Sequence, residues 1–247
     1  MKQGFYEITE NIKLAHNTFE MRLCGDTSAF TNPGQFLNIK LDGLFLRRPI
    51  SVCSYSENEI VIIYKTVGEG TERMSKMLSG EKLDILTGLG NGFDTSISTD
   101  SPLVIGGGAG VAPLYGLCEC LVREGKKPKV ILGFNSKDEV YYEDKFAALT
   151  PDTYVTTVDG THGTKGFVTD VMKNLDYGYF YTCGPMPMFK AVEKIAKTSG
   201  QFSFEERMGC GFGACMGCSC KTLTGGYKRI CKEGPVMERK EILWTQA

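Results

Sequence analysis

Cysteines are concentrated in one glycine-rich segment near the end of the 247-residue sequence. Four lie within residues 210–220 and another follows at position 231; they are Cys210, Cys215, Cys218, Cys220 and Cys231. Without Cys220 their spacing is C-x4-C-x2-C-x12-C, which is typical of a plant-type [2Fe–2S] site, where one loop supplies three thiolates and a later segment the fourth. Because such a cluster carries one electron at a time, the segment predicts electron transfer.

Glycines alternate with these cysteines at positions 209, 211, 213 and 217. They let the backbone fold tightly and bring N–H groups close to the sulfurs, which stabilises negative charge there. A structural zinc site is the alternative, but zinc sites typically use two pairs of closely spaced ligands. Cys220 leaves a second question, because it lies two residues after Cys218 and could replace it as a ligand. The spacing favours Cys218.

A second glycine-rich turn follows the apolar run Leu103–Ile105. Gly108 and Gly110 lie between this predicted strand and a helix predicted to start at Pro113. Such a turn presents backbone N–H groups and a helix N-terminus to a pyrophosphate, although many tight turns are purely structural. A later strand is predicted to end in the turn Cys183–Pro185, and this strengthens the prediction of a nucleotide site.

Two adjacent arginines, Arg47 and Arg48, precede a short β-rich run that contains Ser51. An arginine fork binds phosphate through charged hydrogen bonds, each worth about 1.5–3 kcal/mol. Ser51 is further along the same predicted strand and is able to hydrogen-bond the edge of a flavin ring. Taken alone, the arginine pair fits a solvated basic surface better than a binding site.

Residues 1–98 are predicted to form a small antiparallel β-barrel. Short runs rich in β-branched and aromatic residues recur there between turn signals such as Asn32–Gly34. The predicted strands are Phe5–Thr9, Phe19–Cys24, Gln35–Leu41, Ile50–Tyr55 and Glu59–Lys65. One helix, Glu72–Leu78, is predicted after Gly70 and Thr71.

Residues 99–200 alternate between predicted strands and helices, which is typical of a doubly wound parallel α/β sheet. The strands are Leu103–Ile105, Lys129–Phe134, Tyr154–Val158 and Tyr179–Tyr181, and the helices are Pro113–Glu124, Tyr142–Ala148, Val168–Asn174 and Pro187–Thr198. Both candidate nucleotide turns fall at the carboxyl ends of strands, where such sheets bind ligands. Residues 201–247 are too few for their own hydrophobic core, so metal ligation is expected to stabilise this small third domain.

Composition narrows the class of protein. A formal net charge of -1, from 28 basic and 29 acidic residues, argues against nucleic acid or an anionic membrane as the main partner. Residues Met1–Glu7 lack the apolar core of a signal peptide, and no apolar run approaches the roughly 20 residues of a membrane span. The other five cysteines are scattered, so reduced thiols and a cytoplasmic location are expected. His16 and His162 lie beside no motif, and no catalytic side chain is predicted.

The order of these motifs resembles the ferredoxin–NADP reductase superfamily over essentially the whole chain. Five features follow one another in the order found in that family. They are an arginine-proline strand, a second strand that includes Ile62–Lys65, a Gly-Thr helix start, the glycine turn and the Cys-Gly-Pro turn. The resemblance implies that the barrel binds FAD and that the α/β domain binds a nicotinamide nucleotide.

Three segments narrow this resemblance to one family. They are similar to the electron-transfer subunits of type B dihydroorotate dehydrogenases, and they are Cys183–Met188, Glu205–Cys210 and Tyr227–Val236. The FAD contacts that the resemblance implies are Arg48, Pro49, Ile50, Ser51, Ile63, Tyr64, Lys65, Gly70 and Thr71. The implied cluster ligands are Cys210, Cys215, Cys218 and Cys231. The expected nucleotide contacts are Gly108, Gly110, Cys183, Gly184 and Pro185.

The resemblance also implies a partner, the FMN-containing catalytic subunit of dihydroorotate dehydrogenase, in a heterotetramer with two copies of each chain. Electrons would enter singly through the cluster, pair on FAD and leave as hydride to NAD, as a step of pyrimidine biosynthesis. Asp138 and Glu139 follow the second strand and would repel a 2′-phosphate, so NAD is expected rather than NADP, with Lys137 as the counter-argument.

Two other functions stay open at the level of the sequence. One is a related flavin and iron–sulfur subunit of a ferredoxin-, sulfide- or hydrogenase-linked NAD(P)H oxidoreductase. The other belongs to a different class, a zinc-stabilised binding module with an empty barrel. The colour of the purified protein distinguishes the zinc-stabilised module from the flavin and iron–sulfur proteins. Flavin and cluster give a yellow-brown solution, whereas a zinc protein is colourless.

Overall fold

The computed structural model describes residues 1–244. Its first part is a closed antiparallel barrel with the strand order β1-β2-β5-β4-β3-β6. The strands are β1 (Lys2–Ala15), β2 (Thr18–Cys24), β3 (Phe36–Lys40), β4 (Arg48–Tyr55), β5 (Glu59–Lys65) and β6 (Lys82–Leu89). Alternate residues point inward, so that Leu37 and Ile39 of β3 are fully buried in the barrel interior. The predicted barrel is confirmed.

Two local features of the barrel differ from the prediction. Strand β6, which closes the barrel between β1 and β3, was not predicted from the sequence. Helix α1 spans Glu69–Met74, three residues earlier than the predicted start at Glu72 and well short of Leu78. The helix starts early because the Thr71 hydroxyl accepts hydrogen bonds from the backbone N–H groups of Val67 and Gly68.

The second part alternates strands and helices as predicted. Its elements are β7 (Leu103–Gly107), α2 (Val111–Arg123), β8 (Lys129–Phe134), α3 (Glu143–Leu149), β9 (Thr153–Thr157), β10 (Thr164–Lys165), α4 (Val168–Met172), β11 (Phe180–Cys183), α5 (Met186–Ile195) and β12 (Gly200–Ser203). The strands lie parallel in the order β10-β9-β8-β7-β11-β12. The chain therefore moves outward from β7 in one direction and then crosses to β11 on the other side. This reversal between β7 and β11 makes a crevice at their carboxyl ends.

The last part leaves the sheet and returns to it. A long loop after β12 leads to the hairpin β13 (Ser219–Lys221) and β14 (Tyr227–Arg229), and then to β15 (Val236–Glu238). Strand β15 lies antiparallel to β12 and completes a seven-stranded sheet. The sheet thus extends past residue 200, the predicted end of the nucleotide domain. The domain bounds 1–98, 99–200 and 201–247 stay a prediction, and residues 245–247 lie outside the described residues.

The barrel and the sheet share one apolar core. Cys53, Val61 and Ile63 of the barrel pack in the same cluster of buried side chains as Val111 and Leu117 of α2. Because β4 and β5 contribute one face to this cluster and the opposite face to the barrel interior, these two strands are fixed on both sides. Between residues 1 and 244, no helix combines the length and hydrophobicity that a membrane crossing requires.

Candidate functional site

Residues 209–218 form the cysteine loop, and its three cysteines together with Cys231 make two pairs of neighbouring sulfurs. The Sγ of Cys210 accepts the backbone N–H groups of Ala214 and Cys215 at 3.2 and 3.4 Å, and the Cys210 N–H donates to the Cys215 Sγ at 3.5 Å. In the second pair, the Cys231 N–H donates to the Cys218 Sγ at 3.4 Å. Four thiols, with backbone N–H donors on a sulfur of each pair, have the type and number of ligands that a two-iron cluster takes. Across residues 1–244, no three His, Cys, Asp or Glu side chains are arranged to hold one metal ion.

The two pairs differ in electrostatics. Burial opposes ionisation of Cys210, but hydrogen bonds from the backbone of Phe212, Cys215 and Ala214 lower the pKa of its thiol to about 6. Burial raises the pKa of the Cys231 thiol to about 12. Since thiolates are the metal-binding form, Cys231 releases a proton when it becomes a ligand.

Cys220 belongs to neither pair. It lies on β13, opposite Lys228 of β14, and its Sγ is 3.5 Å from the Lys228 carbonyl oxygen and 3.8 Å from the Met237 sulfur. Burial, followed by the charge of Glu206, raises the pKa of its thiol. The structure thus pairs Cys210 with Cys215 and Cys218 with Cys231, and it leaves Cys220 in the hairpin outside both pairs.

The cysteine loop rests on the barrel at β3. The Asn38 side chain donates from Nδ2 to the carbonyl oxygen of Cys210 at 3.2 Å. Gly211 has a φ of +78°, and a Cβ at this position would collide with Asn38 Nδ2. Only glycine satisfies both the backbone conformation and the close approach, so this glycine of the motif has a defined purpose.

A gap opens in the barrel beside this loop. Strands β4 and β5 pair only from Val52 and Ile62 onward, towards Tyr55 and Ile60. Beyond that point Arg48–Ser51 pairs with β3 alone, and Ile63–Lys65 pairs with β2 alone. Two free strand edges therefore face each other, with main-chain groups available to a planar ligand. The predicted FAD contacts of both strands line this gap.

Arg48 and the start of α1 meet at one end of the gap. A Cβ on Gly70 would collide with the Arg48 Nε, which places the guanidinium directly against the first turn of α1. Within the described chain, the only hydrogen bond of the Arg48 guanidinium goes to the carbonyl oxygen of Leu46. The Thr71 hydroxyl donates to the Gly68 carbonyl at 3.0 Å and so stiffens the turn before the helix. The guanidinium thus keeps most of its donors for a phosphate.

Arg47 has a different role from Arg48. It donates from Nη2 to both carboxylate oxygens of Asp84 at 3.0 and 3.1 Å, and from Nη1 to the Asp84 carbonyl at 2.9 Å. Only 20% of the Arg47 side chain and 17% of the Asp84 side chain are exposed. This bidentate pair ties the start of β4 to β6 and leaves Arg47 no free fork.

Three other predicted FAD contacts have side chains that are already occupied. Tyr64 lies inside the barrel, where its ring stacks on Phe19 at 5.9 Å and its hydroxyl donates to Asn11 at 2.9 Å. Ile63 is buried in the core shared with α2. Lys65 binds Glu139 with 3.0 Å between Nζ and Oε2. What β5 offers a ligand in the gap is therefore its main chain.

The two nucleotide turns meet where the sheet reverses. Gly106 of β7 pairs with Cys183 of β11, and a Cβ on Gly110 would collide with the Cys183 carbonyl oxygen. Gly108 has a φ of +54° with open space on its Cβ side, and its carbonyl accepts the Tyr141 hydroxyl at 3.0 Å. Burial raises the pKa of the Cys183 thiol to about 12, so this thiol is neutral. The turn that continues into Gly184 and Pro185 borders the same crevice.

Known proteins share this arrangement across the whole chain. Residues 205–243 match the family described as the iron–sulfur cluster binding domain of dihydroorotate dehydrogenase B, and residues 104–194 match the oxidoreductase NAD-binding domain. The dihydroorotate dehydrogenase B (NAD(+)) electron transfer subunit of Bacillus mycoides is 44% identical over 98% of both chains. The chain belongs to this family of electron transfer subunits. The corresponding subunit of Fusobacterium nucleatum is 45% identical, over 95% of this chain and 96% of its own.

Two solved structures share the fold of this chain. The NADH-dependent reduced ferredoxin-NADP oxidoreductase, described for flavin-based electron bifurcation, superposes with a TM-score of 0.88 at 28% identity, covering 98% of this chain and 91% of that one. The ferredoxin reductase of carbazole 1,9a-dioxygenase has a TM-score of 0.68 at 21% identity, over 78% and 65% of the two chains, which shows the fold alone. The predicted family, the oxidoreductase class and the set of FAD, [2Fe–2S] cluster and NAD are confirmed.

The residues that join the barrel to the cysteine-bearing segment and to α3 were not predicted from the sequence. Asn38 of β3 contacts the loop at Cys210, 172 positions later, and Asn91 holds Val236 through hydrogen bonds of 2.8 and 3.1 Å. Glu20 of β2 accepts the Tyr142 hydroxyl at 2.7 Å and so joins the barrel to α3. No local pattern marks such residues, because each partner lies far away in the chain.

Proposed function

We propose that this chain is the electron-transfer subunit of an NAD-dependent dihydroorotate dehydrogenase. The observation that carries the proposal is the contact between Asn38 and Cys210, because it sets the cysteine loop directly on the barrel strand that neighbours the gap. When bound, the cluster supplies single-electron transfer and FAD converts it to hydride exchange with NAD. The polypeptide contributes binding, alignment and exclusion of water.

The gap between β4 and β5 is the proposed FAD site. Arg48 binds the FAD phosphates beside Gly70 and Thr71, where its free guanidinium donors favour negative charge. Ser51 and Pro49 line one free strand edge, with Ile50 turned inward, and the main chain of Ile63, Tyr64 and Lys65 lines the other. The salt bridge from Lys65 to Glu139 holds that edge against the nucleotide-binding part.

The crevice between β7 and β11 is the proposed NAD site. Gly108 and Gly110 present backbone to the dinucleotide phosphates, and Cys183, Gly184 and Pro185 form the opposite wall. Glu139 is engaged with Lys65 and Asn135, yet it keeps the loop after β8 acidic. We propose NAD rather than NADP as the substrate, since this loop supplies Lys137 but no arginine for a 2′-phosphate.

Cys210, Cys215, Cys218 and Cys231 are the proposed cluster ligands, with Cys220 as a thiol outside the set. The loop also presents two exposed apolar side chains, Phe212 and Met216, which are 42% and 54% accessible. Exposed apolar residues beside a redox site are suited to docking. We propose that this face binds the FMN-containing dihydroorotate dehydrogenase catalytic subunit, in a heterotetramer with two copies of each chain in the cytoplasm.

One alternative has a specific observation in its favour. The TM-score of 0.88 with the NADH-dependent reduced ferredoxin-NADP oxidoreductase would suit a subunit that exchanges electrons with ferredoxin. Co-expression of this chain with the FMN-containing catalytic subunit distinguishes the two. The dihydroorotate proposal expects a stable complex that reduces NAD with dihydroorotate. Reduction of NAD by ferredoxin, without a dihydroorotate-linked activity, would favour the alternative.

A further inference from the structure

One aromatic residue of the barrel lies entirely in solvent. Phe45 belongs to the loop between β3 and β4 and is 100% exposed, and its neighbour Leu46 is 43% exposed. Burial of an aromatic ring is favourable, so a ring held fully in water gains stability from any ligand that covers it. Single exposed apolar residues are common on protein surfaces, however, so the position of Phe45 has to decide what covers it.

The loop that carries Phe45 is fixed beside the proposed phosphate site. At its start, Arg73 in the last turn of α1 donates from Nη1 to the Asp42 carbonyl at 2.9 Å. At its end, the Leu46 carbonyl accepts a hydrogen bond from the Arg48 guanidinium, which itself lies against the first turn of α1. Phe45 is therefore attached directly to the residue that holds the guanidinium proposed to bind the FAD phosphates.

The gap between β4 and β5 has a closed end and an open end. The two strands pair from Val52 and Ile62 onward, so the gap is closed there, and Arg48 lies four residues away at the open end. The groups of FAD follow a fixed order, which is flavin, ribityl chain, two phosphates, ribose and adenine. With the flavin in the gap and the phosphates at Arg48, the adenosine has to leave through the open end, where the chain leads back to Leu46 and Phe45.

We propose that Phe45 stacks on the adenine ring of bound FAD and is the binding residue for the adenosine half of the cofactor. This inference rests on the proposed placement of FAD between β4 and β5. Stacking uses the faces of the two rings and needs no hydrogen bond, so a fully accessible phenylalanine is sufficient for it. The loop before β4 and the start of that strand then recognise two successive parts of FAD, the base through Phe45 and the phosphates through Arg48.

Phe45→Ala tests the inference through a comparison of FAD with FMN, which carries the flavin and one phosphate but no adenine. The readout is the dissociation constant of each flavin for the flavin-free full-length chain, measured by flavin fluorescence. We expect Phe45→Ala to weaken FAD binding about 5- to 100-fold, the effect of losing one base–aromatic stack, and to change FMN binding less than about twofold. Phe45→Trp should retain the affinity for FAD, whereas Phe45→Leu, which offers no aromatic face, should lose most of it.

Phe167→Ala is the matched control. Phe167 is also an exposed phenylalanine, but it precedes α4 beside the edge strand β10 of the parallel sheet. Its replacement should leave the binding of both flavins unchanged. ADP is a second probe, because it carries the adenine and both phosphates without the flavin. In competition with FAD, ADP should bind Phe45→Ala more weakly by about the same factor as FAD does.

Three results would overturn the inference. FAD binding by Phe45→Ala as tight as that of the wild type would exclude stacking, and equal losses for FAD and FMN would show a disturbed loop instead. Unchanged FAD binding combined with weaker association with the catalytic subunit would assign Phe45 to the subunit interface. Arg48→Ala tests the proposed FAD site separately, because it should weaken FAD and FMN alike. If Arg48→Ala weakens both flavins and Phe45→Ala weakens neither, the site stands and the role of Phe45 falls. If Arg48→Ala has no effect, the site itself is misplaced.

Discussion

Alanine substitutions at the adjacent residues Arg47 and Arg48 are expected to have different effects. Arg48→Ala should weaken FAD binding, whereas Arg47→Ala should lower the stability of the protein. The Arg48 side chain makes one hydrogen bond within the described chain, to the Leu46 carbonyl, so its loss should leave the apoprotein as stable as before. The same change removes a charged contact to FAD phosphate worth about 1.5–3 kcal/mol, which corresponds to roughly 10- to 100-fold weaker FAD binding. Arg48→Lys should recover only part of this affinity, because lysine lacks the planar fork.

Arg47→Ala should instead reduce stability. It removes three hydrogen bonds to Asp84 and leaves that carboxylate with Gln3 alone. Because the pair is four-fifths buried, we expect a loss of about 1–2 kcal/mol in the free energy of unfolding, or about 2–8 °C in Tm. FAD titration and thermal melts of both apoproteins provide the test. Equal loss of FAD affinity in the two variants would refute the assignment of distinct roles.

Three further predictions concern the other sites. Serine at any of the four paired cysteines should remove the cluster's iron and visible absorbance, while Cys220→Ser retains both; bleaching of the Cys220 variant would reassign the ligands. Gly110→Ala should weaken NADH binding roughly tenfold or more with FAD content unchanged, because its Cβ collides with the Cys183 backbone; normal NADH kinetics would contradict this. Burial opposes ionisation of Glu139, but hydrogen bonds from Asn135 and Lys65 lower the pKa of its carboxyl. The stability that ionised Glu139 contributes is therefore fully present above the ordinary pKa of glutamate, and it is lost as pH falls through the lowered pKa of the folded protein. The Tm deficit of Glu139→Gln should therefore shrink in acid, and a constant deficit would exclude this linkage.

The sequence predicted the redox chemistry well because that chemistry depends on short motifs. Cysteine spacing, the glycine turn and the arginine strand each lie within a few residues, so their local chemistry is visible without the fold. The strand Lys129–Phe134 matched its predicted bounds for a similar reason, since a continuous apolar run marks a buried parallel strand. Strand β6 escaped prediction because its run is interrupted by Asp84 and Gly88.

The organisation of the C-terminal part could not be predicted from composition. The sequence predicts that residues 201–247 are too few for a core, yet Phe202 packs edge to face on Phe180 and Phe189, with ring centroids 5.2 and 5.3 Å apart. Strand β15 then binds the edge of β12. A truncation before Gln201 would therefore remove two strands of the nucleotide-binding sheet together with the cluster. Point substitutions at the cysteines separate these effects.

The proposed function requires electrons to pass between the catalytic partner and FAD through the cysteine loop. Its most direct test compares the wild-type complex with a complex containing Cys218→Ser, in two assays on the same preparation. We predict that dihydroorotate-driven reduction of NAD disappears with the cluster, while oxidation of NADH by an artificial acceptor persists, because FAD and the nucleotide crevice remain. Dihydroorotate-driven NADH formation at the wild-type rate in the cluster-free complex would contradict the account.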